Sequence, residues 1–198
     1  MNNIYIFKQQ KRNDRMPKIL KEIQGSTPDE LLLKYGICMA PPIQVDELMA
    51  KIGISVIEQD FREVEEISGF DVGSILGAAI SNGNDIGIFY KEGMTQKTLR
   101  FTIAHEFAHC CLDCKQDEIS HLEFRMDKSE SDDKELKANE FAGRLLVPEK
   151  TLRQVYKKFL VPSLSALADI FEVPVNVMRE RLEFLKLPYF KDDNMAET

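Results

Sequence analysis

The sequence has few of the features that mark membrane, secreted or nucleic-acid-binding proteins. It contains no apolar run of about 18 residues, which a transmembrane helix would need. Its first 20 residues hold only short apolar stretches, so we expect no signal peptide. A net charge of −7 argues against a surface that binds nucleic acid. Together these absences predict a cytoplasmic protein that has no membrane partner.

Cysteine and histidine are also scarce, with four and three residues respectively. Three of the cysteines fall between residues 110 and 114, which is no disulfide framework. Cys111 and Cys114 have the C-x-x-C spacing of zinc and redox sites, but no second pair is present to complete a structural zinc site. We expect Cys111 to pack as a small apolar side chain.

The order of the predicted elements indicates an α+β fold, because helices come first, strands follow and helices return. The clearest strand signal is a hairpin, "SILGAAI-SNGN-DIGIFY", whose turn is Asn82-Gly83. Two long helices are predicted after it, over residues 95–114 and 132–146. We divide the chain into a basic N-terminal arm (1–24), a central domain (25–150) and a helical C-terminal module (151–198).

The stretch "RFTIAHEFAHCCLDC" (100–114) holds two of the three histidines. His105 and His109 are four residues apart, so both imidazoles project from one face of a helix and can bind one metal ion. Glu106 lies one step round the helix, close enough to act as a base on a water molecule at that ion. Chance predicts only about 0.004 HExxH matches for this composition, and a core helix buries such residues at a cost unless a metal compensates them.

A zinc site needs a third protein ligand, for which the sequence offers two kinds of candidate. A histidine six residues after His109 would mark the metzincin pattern, but Lys115 is there. His121 lies in a polar loop and is the weaker candidate.

The stronger candidate is a glutamate of the second helix, in "DDKELKANEFAGRLLVP". Glu135 shares a helix face with Ala138, Asn139 and Ala142, whose small side chains would allow close approach. Asn139 could hydrogen-bond a ligating histidine. Glu140 instead shares a charged face with lysine and arginine, so Glu135 is the predicted ligand.

Three segments together resemble the ImmA/IrrE-type metallopeptidases: "APPIQVDELMAKIGISV", "RFTIAHEFAHC" and "ELKANEFAGRLLVP". The last is similar to the family's E-x-x-A-N-x-F-A-x-x-L-L-x-P pattern, with Glu135 as its leading glutamate. The resemblance implies a zincin-like domain, in which a small mixed sheet packs on the HExxH helix. It also implies a cytosolic endopeptidase that cleaves a helix-turn-helix repressor or a related regulator.

The expected mechanism uses one Zn²⁺ per chain, although Mn²⁺ would also suit imidazole and carboxylate ligands. Glu106 would take a proton from the attacking water and pass it to the leaving amine. A substrate strand could pair with the edge of "DIGIFY". Tyr90, Tyr156 and His121 are unranked candidates for an oxyanion donor.

The tail "SLSALADIFEVPVNVMRERLEFL" resembles a helix-turn-helix, with Ser163 placed to cap its first helix. Glu172 stands where the turn usually has glycine, and the second helix offers only Arg179, Arg181 and Lys186 as bases. We therefore expect a docking module and not a DNA-binding one. The alternative function is a non-catalytic regulator or toxin–antitoxin-like partner that acts by binding and has a structural or vestigial metal site.

Overall fold

The computed structural model describes residues 18–61, 76–81, 85–112 and 128–191. These residues form eight helices and three strands, in the order α1 (Lys18–Ile23), α2 (Pro28–Lys34), α3 (Val45–Ile52), β1 (Ser55–Gln59), β2 (Gly77–Ser81), β3 (Ile86–Lys91), α4 (Gln96–Leu112), α5 (Lys128–Leu146), α6 (Glu149–Tyr156), α7 (Leu164–Phe171) and α8 (Val175–Phe184). The mixture of helices with a small sheet fits the predicted α+β class. None of the described helices combines the length and the apolar character that crossing a membrane requires.

Local sequence signals account for several helix ends. Thr27 caps α2 in a capping box, in which its hydroxyl accepts from the Glu30 amide and the Glu30 carboxylate accepts from the Thr27 amide. Gly53 ends α3 in the left-handed conformation, with φ of 91°. Ser163 caps α7 as the sequence predicts, since its hydroxyl accepts a hydrogen bond from a first-turn amide.

The sheet is mixed and has the strand order β1-β3-β2. The predicted hairpin is confirmed, because β2 pairs antiparallel with β3, although the turn at Asn82-Gly83 lies outside the described residues. β1 pairs parallel with the other side of β3. The prediction that "DIGIFY" offers an edge to a substrate is therefore wrong: β3 is paired on both sides, and β2 is an edge strand in the described part of the sheet.

Helix α4 lies between the sheet and α5, in contact with β2, β3 and α5. Its buried residues therefore occur almost all round the helix. Small side chains bring α4 and α5 together, and Ala104, Ala108, Ala138 and Ala142 are all fully buried. This close packing places the predicted metal-binding residues of the two helices opposite one another.

The C-terminal helices α7 and α8 share the same hydrophobic core, to which Leu167, Phe171, Met178 and Leu182 contribute fully buried side chains. A helix-turn-helix role for this pair and a domain boundary at residue 150 stay predictions. Of the N-terminal segment predicted as a basic arm, residues 1–17 lie outside the described residues, and α1 buries two side chains in the core.

Candidate metal centre

Three ionisable side chains converge where α4 meets α5. The Nε2 atoms of His105 and His109 are 3.1 Å apart. Glu135 of α5 places Oε2 3.1 Å from His105 Nε2 and Oε1 3.4 Å from His109 Nε2. In a tetrahedral zinc site with bonds of about 2.0–2.1 Å, neighbouring ligand atoms are about 3.3 Å apart. The three donor groups therefore already have the mutual spacing that one zinc ion requires.

The helices account for this convergence. The i,i+4 spacing stacks the two imidazoles on one face of α4, with ring centroids 4.8 Å apart. Glu135 lies three residues before Ala138, whose buried methyl group lets α5 approach α4. Glu140 is exposed and lies 3.7 Å from Arg144 in an i,i+4 ion pair, so it takes no part in the cluster.

Asn139 orients one of the histidines. Its Oδ1 lies 2.8 Å from His105 Nδ1. An amide oxygen can only accept a hydrogen bond, so His105 Nδ1 carries the proton and donates it to Asn139. The neutral imidazole then directs its Nε2 lone pair into the cluster, as a metal ligand must.

The two histidines also fix the charge of Glu135. The nearby ring nitrogens of His105 and then His109 hold the pKa of the Glu135 carboxyl well below its ordinary value, although partial burial opposes them. A deprotonated carboxylate and two imidazoles form a donor set that suits zinc and several other divalent ions. In the described part of the chain, these three residues form a group able to hold a metal ion.

Glu106 lies between α4 and the sheet, next to this cluster. Burial raises the pKa of its carboxyl above the ordinary value, while His105, His109 and a hydrogen bond from the Ala79 backbone lower it. Gly77 of β2 is so close that a Cβ atom there would lie 3.0 Å from Glu106 Cγ. The sequence pattern alone did not single out Gly77 or Ala79 of β2 as neighbours of Glu106. The glycine inside a predicted strand was the available signal, because such a glycine often marks a close approach of another group.

None of the three candidates for an oxyanion donor is placed in the cluster by the described residues. The Tyr156 hydroxyl donates to the Pro188 carbonyl at 2.6 Å and so anchors the C-terminal segment. Tyr90 lies near Glu58 and Asp46; burial and these two charges raise its pKa, and neither carboxylate belongs to the cluster. His121 lies outside the described residues, so none of the three is assigned.

Of the two cysteines at C-x-x-C spacing, Cys111 is fully buried in the hydrophobic core. Its environment agrees with the expectation of apolar packing. Cys114 lies outside the described residues.

An α+β fold with a His–His–Glu cluster between two packed helices is an arrangement that metal-dependent peptidases use. The family described as the IrrE N-terminal-like domain (Peptidase_M78) matches residues 50–183, which is well over half of the chain. The chain therefore belongs to this family, and its membership indicates a metallopeptidase role. A comparison with curated proteins gives no match.

Proposed function

We propose that this protein is a zinc-dependent endopeptidase, in which His105, His109 and Glu135 hold the metal and Glu106 is the general base. The observation that carries this proposal is the 3.1–3.4 Å spacing of three donor groups from two helices. The family supports it, because the cluster and the base fall within the matched residues 50–183.

When bound, a zinc ion would polarise the peptide carbonyl and acidify a water molecule. The chain's own contribution is proton transfer by Glu106, which accepts a proton from the attacking water and gives it to the leaving amine. General acid–base catalysis of this kind accelerates a reaction by about 10²- to 10⁴-fold. The raised pKa that burial gives Glu106 suits this task, since a carboxylate of ordinary pKa is a weak base near neutral pH.

We infer that a substrate strand pairs with β2 and not with β3. The Leu76 carbonyl accepts from the Lys91 amide at 2.9 Å, so the even-numbered residues of β2 direct their backbone groups towards β3. Gly77, Ala79 and Ser81 then direct theirs away from it, along the edge beside α4. The Ala79 N–H bonds Glu106, which leaves the other outward groups for a peptide. An extended peptide could add to this edge close to Glu106.

The proposed target is a helix-turn-helix-type transcriptional repressor or a related regulatory protein, cleaved in the cytoplasm. The support is the resemblance of three sequence segments to ImmA/IrrE-type peptidases. We propose that α7 and α8 present or dock this substrate and do not bind DNA directly. Arg181, one of the three bases counted for DNA binding, is buried and donates to the Val147 carbonyl, which leaves Arg179 and Lys186.

Metal content is the first test. Protein purified without added metal should contain about one zinc, or manganese, per chain by mass spectrometry, because the ligand geometry exists in the folded chain. Glu135→Ala should lose most of it. Glu140→Ala, five residues along the same helix, is the control and should keep it. A wild-type protein that takes up no divalent ion even when zinc is supplied would rule out the enzyme.

The alternative, a regulator that acts by binding alone, is separated by Glu106→Gln. This change keeps the size of the side chain and leaves the three donor groups in place, so the zinc content should not change. Cleavage of a co-expressed repressor should fall by about 10²-fold or more. If Glu106→Gln still relieved repression fully, sequestration and not proteolysis would be the mechanism.

A further inference from the structure

We propose that the edge strand β2 positions the Glu106 carboxylate, through the absent side chain of Gly77 and the backbone N–H of Ala79. Gly77 is thus a positioning residue for the base and not a catalytic one. The inference rests on the proposed function, because it takes Glu106 to be the group that moves the proton.

The space around Gly77 is the first observation. A Cβ atom built there would lie 2.6 Å from Thr102 Cγ2, 3.0 Å from Glu106 Cγ and 3.2 Å from Glu106 Oε1. Contacts below about 3.4 Å between carbon atoms are repulsive, so even one methyl group does not fit. The backbone of Gly77 lies outside the left-handed region, and close approach is therefore the reason for glycine here.

The hydrogen bond from Ala79 is the second, independent observation. Backbone groups of Gly77 and Ala79 point away from β3, as the pairing of Leu76 with Lys91 requires. The Ala79 backbone forms a hydrogen bond with the Glu106 carboxylate, an acceptor that only an N–H can satisfy. One strand therefore touches Glu106 twice, at its aliphatic stem and at its carboxylate.

Thr102 also limits the space around the aliphatic part of the Glu106 side chain. It is buried on α4 one turn before Glu106, and its hydroxyl lies 3.7 Å from Met94 Sδ. Since Thr102 has little room to give way, a methyl group at position 77 would displace the flexible Glu106 side chain. The three atoms nearest to the added Cβ belong to Thr102 and Glu106 and not to His105 or His109, so the metal-binding atoms should keep their places.

Acetohydroxamate binding to the zinc-loaded full chain tests this without a natural substrate. A hydroxamic acid chelates a metal through its two oxygens, and a carboxylate beside the metal strengthens binding by accepting the hydroxyl proton that is released. We expect Gly77→Ala to keep one zinc per chain with unchanged affinity. Hydroxamate affinity, measured by calorimetry, should fall by about 10- to 100-fold, the size of a lost charge-assisted hydrogen bond. Glu106→Gln should give a similar fall.

Two further variants separate positioning from folding. Gly143→Ala is the matched control, because its Cβ would meet Arg181 Cδ at 3.4 Å, an ordinary contact; both affinities should stay at the wild-type level. The double variant Gly77→Ala/Thr102→Ser removes the Cγ2 atom but leaves the contact with Glu106. It should regain any unfolding temperature lost in Gly77→Ala while its hydroxamate affinity stays low.

Several results would overturn the proposal. Wild-type hydroxamate affinity in a folded Gly77→Ala would show that β2 does not position Glu106. Recovery of that affinity in the double variant would assign the effect to Thr102 instead. A wild-type chain that binds no zinc would overturn the proposed function and this inference with it, whereas the first two results leave the proposed function intact.

Discussion

Two sets of buried or half-buried polar side chains lie at helix contacts in this molecule, and they differ in where their polar atoms point. In the candidate metal centre, the Nε2 atoms of His105 and His109 and the Glu135 carboxylate point at one another. In the second set, Arg100 and Arg181 direct their N–H groups at backbone carbonyls. The comparison separates buried polar groups that complete the fold from a group of side chains that could hold a metal ion.

The arginine set is satisfied by the chain itself. Arg100 is 3% exposed, and it donates from Nη2 to the Ile43 carbonyl and from Nε to the Glu172 carbonyl. Arg181 is 6% exposed, and both Nε and Nη2 donate to the Val147 carbonyl just beyond the end of α5. Cations at helix C-terminal ends meet both the unpaired carbonyls and the helix dipole. These residues need no ligand. Their hydrogen bonds join α4 and α5 to the C-terminal helices.

The donor atoms of the candidate metal centre face one another instead of backbone carbonyls. His105 gives its Nδ1–H to Asn139, so its Nε2 can face Glu135 and His109 as a lone pair. A divalent ion can bind all three groups at once, which a proton cannot do.

The largest effect that sharpens this comparison is expected from Asn139→Ala. Without the amide oxygen, His105 is free to rotate and to carry its proton on Nε2, where the metal binds. Loss of such a partner lowers metal affinity by about 10- to 100-fold. Zinc affinity would be measured by competition with a chromophoric chelator.

Asn139→Asp keeps an acceptor oxygen at the same position and should retain most of the zinc affinity. Asn176→Ala, an exposed asparagine of α8, is the matched control and should have no effect. Equal zinc affinity in Asn139→Ala and wild type would show that the helix alone orients His105.

Much of the candidate metal centre could be predicted from the sequence, because its three residues are placed by helical spacing. The faces of two helices were enough to pair His105 and His109 with Glu135 and to set Glu140 apart, and the structure brings together the three that the spacing selects. Residues 95–114 and 132–146 were predicted as helices. The first begins one residue later, at Gln96, and its predicted end lies outside the described residues; the second is described from Lys128, four residues earlier than predicted, and ends at Leu146 as predicted.

Features that depend on long-range packing could not be read from local patterns. A hairpin motif does not say which of its two strands will accept a third, so β3 was taken for an edge although β1 pairs with it. Arg181 looked like a solvent-facing base because it stands among charged residues. Its burial depends on Val147, 34 positions earlier in the chain.

The second-largest effect is expected from Arg181→Met, which changes one of the two buried arginines. Methionine keeps much of the apolar volume but leaves the buried Val147 carbonyl without its two hydrogen bonds. We expect the free energy of unfolding to fall by about 1–2 kcal/mol, the cost of an unpaired buried acceptor less the relief of burying a charge. Urea denaturation measures this, and zinc affinity should not change.

Arg179→Met in the same helix is the control for that change. Its Nε is buried and has no hydrogen-bond partner among the described residues, so replacing it removes no such bond. Its stability should equal or exceed that of the wild type. If the two variants lost the same stability, the hydrogen bonds to Val147 would not be what holds α8 to α5.

The smallest effect is expected at Glu172, which ends α7 with φ of 50° in the left-handed region. Its carboxylate lies 3.7 Å from Arg100 Nε, while its carbonyl accepts the hydrogen bond from the same atom. Glu172→Gln removes the charge alone and should cost less than about 1 kcal/mol, because the carboxylate is half-exposed. Glu172→Gly also removes the steric cost of the left-handed backbone and should be more stable than Glu172→Gln by about 1 kcal/mol in urea denaturation. If glycine were the less stable of the two, the left-handed backbone at this position would not be strained.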